Sequence, residues 1–283
     1  MTQPPIPVAL ITGGGSGLGR ALALGCAARG MHLVLADVDR AGLDESVRQI
    51  GEQSAGCEVL AQIVDVSKLA AVEALAQASF ERFGRVDWVF NNAGVGVNGP
   101  IWENSERDWQ WVLGVNLLGV AWGIKAFVPR LLNQGHGYLI NTASAAGWVN
   151  APGSGVYNAS KCAVVAMSET LAMDLAQAGA NLGVSVLSPA FFPTGIVDSE
   201  RNRPADLASE EAPSEARRRS KEQLRYAVEH GRLSATQVAQ ITLEAVEAGR
   251  FYIFPHAKIK GMVLARAAAA DAQGRVYDSR PGK

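Results

Sequence analysis

The sequence predicts a single α/β domain, residues 1–283, built on a doubly wound parallel sheet of about seven strands with helices on both faces. Three observations carry this reading. Short apolar runs alternate with longer helical stretches along most of the chain. The runs are apolar throughout, as in strands covered on both faces, rather than alternating apolar with polar. The 283 residues, 48% hydrophobic and 19% charged, supply enough apolar side chains for one large core.

Val8–Thr12 enters a glycine cluster and reads as a buried strand. Leu18–Arg29 is rich in Ala and Leu, and Gly30 stands where a helix C-cap belongs. His32–Asp37 is the second strand; Val59–Val64, Trp88–Asn91, Tyr138–Thr142 and Val184–Ser188 follow. The intervening helices are read at Leu43–Gln53, Lys68–Phe83, Glu106–Leu132 and Tyr157–Ala178. Ser234-Ala235-Thr236-Gln237 forms a capping box that opens a helix to Ala248, and Phe251–Phe254 supplies the last strand. One segment breaks the rhythm. Gly195–Gly231 is polar, charged and punctuated by proline, with a helix near Glu215–Glu229. An insertion of that length is more often functional than idle and reads as a helical lid over a substrate site. The tail, Lys258–Lys283, is Ala-rich and reads as a surface helix or a partner contact.

The net charge of -1 gives no reason to expect a nucleic-acid or anionic-membrane partner. Arg217-Arg218-Arg219, among Glu211, Glu215 and Glu222, reads as a solvated helix face. Cys26, Cys57 and Cys162 are far apart and odd in number, so no disulfide framework or metal-ligand spacing follows. Free thiols suit a reducing cytoplasm. Met1–Pro7 lacks a charged n-region and a long apolar run, so no signal peptide is read. The apolar stretches, broken by Gly and charge, read as too short to span a bilayer.

Thr12-Gly13-Gly14-Gly15-Ser16-Gly17-Leu18-Gly19 lies between a strand and a helix. Glycines there permit a tight turn and let backbone N–H groups approach a pyrophosphate at the positive end of the helix dipole. Asp37 ends the second strand, near the spacing of an acid that binds adenosine ribose hydroxyls. A carboxylate there repels a 2′-phosphate, and no basic residue occupies Gly14, Gly15 or Ser16. The expected cofactor is therefore NAD rather than NADP, with Arg40 the residue able to reach a 2′-phosphate if Asp37 turns away. Tyr157 and Lys161 are four residues apart, one helical turn, so both project from one face. A phenol, with pKa about 10, is a poor base at neutral pH. An ammonium beside it favours the phenolate, so the pair can move a hydroxyl proton.

These motifs, in this order, resemble the short-chain dehydrogenase/reductase family, in the NAD-preferring branch of about 250 residues with a Rossmann-like fold. The resemblance runs over roughly Val8 to Thr194. It rests on Thr12-Gly13-x-x-x-Gly17-x-Gly19, Asp65-Val66, Asn91-Asn92-Ala93-Gly94, Asn116 in Val115-Asn116-Leu117, Ser144, and Tyr157-x-x-x-Lys161. It implies that Tyr157 is the general acid/base and that Lys161 lowers its pKa and binds the nicotinamide ribose. Ser144 would hydrogen-bond the substrate oxygen, and Asn116 would hold a water joining Lys161 to solvent. The cofactor would touch Gly13, Gly15, Ser16, Gly17, Leu18, Gly19, Asp37, Asp65, Val66, Asn92, Ala93, Gly94, Tyr157, Lys161, Pro189, Phe192 and Thr194. Hydride would leave the pro-S face of the nicotinamide. The chain departs from the family at Pro189-Ala190, where Pro-Gly is usual, so that turn is expected to differ.

By the same resemblance the substrate pocket comprises Ala145, Ala146, Trp148, Asn150, Val95, Val97, Ala190, Phe191 and Ile196. Most are apolar, which suits a hydrophobic, bulky secondary alcohol or its ketone. Trp148 has two readings, substrate contact or ordinary packing. No Arg or Lys lies near Ser144 in sequence, although the Arg-rich lid can supply one. Shorter runs around Trp111, Phe127 and Phe251 resemble a branch acting on large aryl alcohols. Family members are mostly homotetramers or homodimers. Two alternatives stand beside the NAD alcohol dehydrogenase: an NADPH-dependent carbonyl reductase, and a non-catalytic NAD(H)-sensing protein on the same fold.

Overall fold

The computed structural model describes residues 5–208 and 212–278. Glu211, together with residues 209–210 of the expected lid, residues 279–283 of the tail and residues 1–4, lies outside the described residues. Seven parallel strands form one sheet: β1 (Val8–Thr12), β2 (His32–Asp37), β3 (Val59–Ile63), β4 (Trp88–Asn91), β5 (Gly137–Thr142), β6 (Leu182–Leu187) and β7 (Tyr252–Ile253). Their order is β3-β2-β1-β4-β5-β6-β7, so the winding reverses between β1 and β4. Such a reversal opens a crevice at the carboxyl ends of the strands.

The pleat divides the core. From β1 and β2, Ala9, Ile11, Leu33 and Leu35 face one side, and Val8, Leu10, Val34 and Ala36 the other. The first side is covered by α1 (Gly17–Ala27), α2 (Arg40–Gln53) and, later in the chain, α8 (Ala235–Glu247), through Leu22, Cys26, Leu43, Ile50, Val238 and Leu243. The second is covered by α3 (Leu69–Phe83), α5 (Gly119–Gln134) and α6 (Gly155–Gln177), through Leu75, Phe127, Leu131 and Leu171. Among the described residues, the twelve largest fully buried side chains are all Phe, Leu or Ile, so packing is the main support of the fold.

Several boundaries differ from expectation for local reasons. α2 begins three residues early because Asp39 caps it, accepting from the Gly42 amide. α1 stops at Ala27, and Gly30, at φ +75°, closes the turn beyond it. The capping box at Ser234 forms as read: Ser234 Oγ accepts from Gln237 N, and Gln237 Oε1 from Ser234 N. The helix expected over Glu106–Leu132 is three pieces: α4 (Glu106–Leu113), a π-helical turn (Gly114–Leu118) and α5. Gly114, Gly119 and Gly123 do not break this run, which is long and apolar enough by length and composition to cross a membrane, contrary to expectation. Its α5 part packs onto the sheet through Ala126, Phe127 and Leu131.

Between β6 and α8 the chain forms short 3-10 turns at Gly195–Asn202 and Ala205–Leu207, then α7 (Glu215–Glu229). The arginine run is not uniformly solvated. Arg217 turns inward to Asp108, whereas Arg219 stays exposed beside Glu215. The tail helix, α9 (Lys258–Asp271), docks rather than floats: Ile259 is buried and Arg266 Nη1 donates to the Trp148 carbonyl at 2.7 Å.

Candidate active site

The reversal between β1 and β4 is stitched by the side chains of Thr12 and Asn92. Thr12 Oγ1 accepts from the amides of Asn92 (2.9 Å) and Ala93 (3.1 Å) and donates to the Phe90 carbonyl. Asn92 Nδ2 returns a bond to Thr12 O at 3.0 Å. These bonds hold the glycine turn after β1 against the turn after β4. Gly13 and Gly17 sit at φ +70° and +50°, where a side chain is strained. Gly19 approaches Gly13 so closely that a Cβ would lie 2.0 Å from the Gly13 carbonyl oxygen. Ser16 precedes α1 without a side-chain cap, leaving the first-turn N–H groups of that helix facing the crevice.

Gly15 has a different role from the one expected. Its amide donates to Asp37 Oδ2 at 2.9 Å, and it does not line the cavity. Asp37 Oδ1 accepts from the Asp39 amide at 3.0 Å, so both carboxylate oxygens are held by backbone. Arg20 bridges the carbonyls of Gly15 and Gly42 and tightens the turn from behind. Arg40 lies outside the cavity, on an adjoining crevice with Val38, Arg201 and Arg203.

The crevice opens into a cavity of about 1280 Å3. Pockets for one small ligand usually run from about 300 to 1,000 Å3, so there is room for a dinucleotide and a second molecule. Gly13, Ser16, Gly17, Leu18, Gly19, Asp37, Asp65, Val66, Asn92, Ala93 and Gly94 line one part. Ser144, Tyr157 and Lys161 share the same cavity with Ala145, Ala146, Pro189, Ala190, Phe191, Phe192, Thr194 and Ile196. The donor set fits a dinucleotide: unfilled helix N–H groups for phosphates, and a fixed carboxylate at the end of β2 for ribose hydroxyls.

Ser144 caps the short turn Ala145–Gly147, accepting from Ala146 N at 3.2 Å. Lys161, 2% exposed, donates from Nζ to the Thr142 carbonyl at 2.7 Å and stands 5.7 Å from the Tyr157 ring centroid. Burial lowers its pKa to about 8. Burial also raises the Tyr157 phenol, and the Ser144 hydroxyl pulls it back in part. The lowering of Tyr157 expected from its lysine is not what this geometry gives: desolvation dominates, and the opposing pull comes from Ser144. Asn116, on the π-helical turn, does not line the cavity. Its amide accepts from Val95 N (2.8 Å) and donates to Val95 O (2.9 Å) and Ser160 Oγ (3.1 Å). A Cβ on Gly94 would lie 3.5 Å from Asn116 Oδ1 and 3.6 Å from Lys161 Nζ, so Gly94 lies beside both. Single π turns recur at functional sites.

Two expected pocket residues lie off the cavity. Trp148 is packing: its Nε1 donates to Ser188 Oγ at 2.8 Å and its ring meets Tyr252 and Phe254 edge-on. Asn150 is exposed on the surface. Sequence reading missed several walls. Trp111, Leu207, Leu224 and Val228 come from α4 and the β6–α8 segment, His256 from the turn after β7, and Ile259 and Met262 from the start of the tail. Cationic side chains also reach the lining at Arg201, Arg232 and Lys258. Ala190 needs no positive φ; its amide donates to His256 Nδ1 at 3.1 Å. The signal available for His256 was its position just past the last strand.

A dinucleotide turn, a fixed acid after the second strand and a Ser–Tyr–Lys group around one cavity define an NAD(P)-dependent oxidoreductase. The chain belongs to the short-chain dehydrogenase family, whose model matches residues 7–205. It is 35% identical over 260 residues to the CLA biosynthesis dehydrogenase/reductase of Lactiplantibacillus plantarum, covering 90% of each chain. It is 38% identical over 193 residues to levodione reductase of Leifsonia aquatica, covering 68% of this chain and 72% of that one. Among solved structures, a short-chain dehydrogenase/reductase from Burkholderia phymatum in complex with NAD superposes with a TM-score of 0.95 at 47% identity, covering 99% of both chains.

Proposed function

We propose that this chain is an NAD-dependent oxidoreductase interconverting a bulky, hydrophobic secondary alcohol and its ketone. The observation that carries this reading is one cavity lined by Ser144, Tyr157 and Lys161 together with the α1 N-terminus and Asp37. The complex of the Burkholderia phymatum relative with NAD supports the cofactor, and the name of the levodione reductase relative supports carbonyl chemistry.

Gly13, Ser16, Gly17, Leu18 and Gly19 hold the pyrophosphate, and Asp37 the adenosine ribose. Asp65, Val66 and the Asn92–Gly94 backbone border the adenine and the floor, with Pro189, Phe192 and Thr194 beside the carboxamide. When bound, NAD supplies the hydride acceptor. In oxidation, Tyr157 Oη takes the proton of the substrate hydroxyl while Ser144 Oγ donates to the same oxygen; reduction reverses the transfer. Lys161 stabilises the phenolate and holds the nicotinamide ribose. Asn116 fixes the Val95 loop beside Lys161.

An NADP preference would need Asp37 to release the amides of both Gly15 and Asp39, which favours NAD. Ala145, Ala146, Phe191, Ile196 and the newly found Trp111, Leu207 and Met262 make the substrate half apolar. The segment from Gly195 to Gly231 is its lid. Exposed Leu132 and Met173 on α5 and α6 favour self-association of those faces as a dimer or tetramer. The test is initial-rate screening with NAD on aryl secondary alcohols, steroids and small diols. Turnover of the bulky members supports the reading; turnover of small diols alone refutes the bulky substrate.

A further inference from the structure

Asp108, in the first turn of α4, is fully buried. Its carboxylate takes no part in the proposed chemistry, yet it is saturated with donors. Oδ1 accepts from Arg203 Nη2 at 2.7 Å. Oδ2 accepts from Arg217 Nη2 at 2.8 Å and from the Ser105 amide at 3.0 Å. The two arginines come from opposite halves of the segment between β6 and α8. Arg203 lies between its two 3-10 turns, and Arg217 in the first turn of α7. One carboxylate therefore ties both halves to α4.

Both arginines are held along their length. The Arg203 side chain is 4% exposed, its guanidinium lies 4.9 Å over the Trp111 ring, and Nε donates to Leu207 O at 2.6 Å. Arg217 Nε donates to Asn98 O at 3.2 Å. Its stem packs on Gly99, where a Cβ would meet Arg217 Cγ at 2.6 Å. Of the residues these arginines touch or flank, Trp111, Leu207, Pro204 and Asn98 line the cavity. A buried carboxylate that loses a paired guanidinium is left with an uncompensated charge, so the arrangement favours keeping both arginines in place.

We propose that Asp108 is a positioning residue for substrate binding. By clamping Arg203 and Arg217 it holds the segment between β6 and α8 against Trp111 as a wall of the cavity. Calling that wall the substrate side rests on the function proposed above. The nucleotide half is built mainly on β1, β2 and β4, and its remaining residues Pro189, Phe192 and Thr194 precede the first 3-10 turn, upstream of both arginines, so it does not depend on the clamp.

The test compares wild type with Arg217→Gln and Asp108→Asn. Arg217 is partly exposed, so its variant folds even if the buried aspartate variant does not. Three quantities are read: deuterium uptake of residues 212–229, the Kd for NAD, and the split between KM and kcat on an alcohol from the screen. The clamp predicts faster exchange of 212–229, an unchanged Kd for NAD, and KM raised about tenfold with kcat within about threefold. Unchanged exchange overturns it, as does a Kd for NAD that rises in step with KM, because the network then supports the whole fold. If no alcohol is turned over, the proposed activity fails while the exchange and NAD arms still decide the clamp.

Discussion

Lys161 Nζ donates a 2.7 Å hydrogen bond to the Thr142 carbonyl, inside a site that otherwise removes its water. Burial lowers its pKa from 10.5 to about 8. Between those values the unfolded chain binds more protons than the folded one, so stability from this residue rises with pH across that window. At pH 7 the lysine costs up to about 3 kcal/mol. Lys161→Met is therefore expected to raise the urea midpoint at pH 7, with an advantage that shrinks as pH approaches 10. A pH-independent difference argues against a depressed lysine.

Asp37 holds Gly15 and Asp39 through both oxygens and presents a charge at the end of β2. Asp37→Ala removes the repulsion of a 2′-phosphate. The ratio of kcat/KM for NAD over NADP is expected to fall by about tenfold or more. Parity of the two cofactors in the wild type would sink the assignment.

Gly19 leaves no room for a methyl group, since a Cβ would meet the Gly13 carbonyl oxygen at 2.0 Å. Gly19→Ala is expected to cost about 1–3 kcal/mol and to abolish measurable NAD binding by deforming the turn. Gly51, in α2 with nothing within 4 Å of an added Cβ, is the control. Gly51→Ala is expected to gain about 0.5–1 kcal/mol and leave NAD binding alone. Equal Tm values for the two variants would contradict the close approach.

Trp148 packs behind the site through Ser188, Tyr252 and Phe254. Trp148→Phe loses the indole hydrogen bond and is expected to cost about 1–2 kcal/mol, while KM stays within about twofold. A large change in KM with unchanged Tm would return Trp148 to the substrate pocket.

Most of the sheet was legible because parallel strands buried on both faces read as unbroken apolar runs, as at Leu33–Ala36. Several of the site's motifs were legible because they begin where strands end: Thr12, Asp37 and Asn91 each close one that points into the crevice. What stayed hidden depends on partners far away in sequence. Arg217 reads as a solvated charge until Asp108, 109 residues earlier, is brought against it. The π turn at Asn116 has no local signature, and its amide is held by Val95 and Ser160 from other elements. Trp148 follows Ser144 closely, yet the turn at Ala145–Gly147 aims it at β7. The tail's alanines show no dominant apolar face, so the docking of Ile259 and Met262 could not be read.

Tyr157→Phe tests the central claim most directly, because it removes one oxygen from a residue that lines the cavity beside Ser144 and Lys161. NAD titration and initial rates on an alcohol turned over by the wild type are measured on the same preparation. If Tyr157 carries the proton, the Kd for NAD stays within about twofold of wild type and kcat falls by about 10²-fold or more. Near-normal kcat in that variant would show that Tyr157 does not carry the proton.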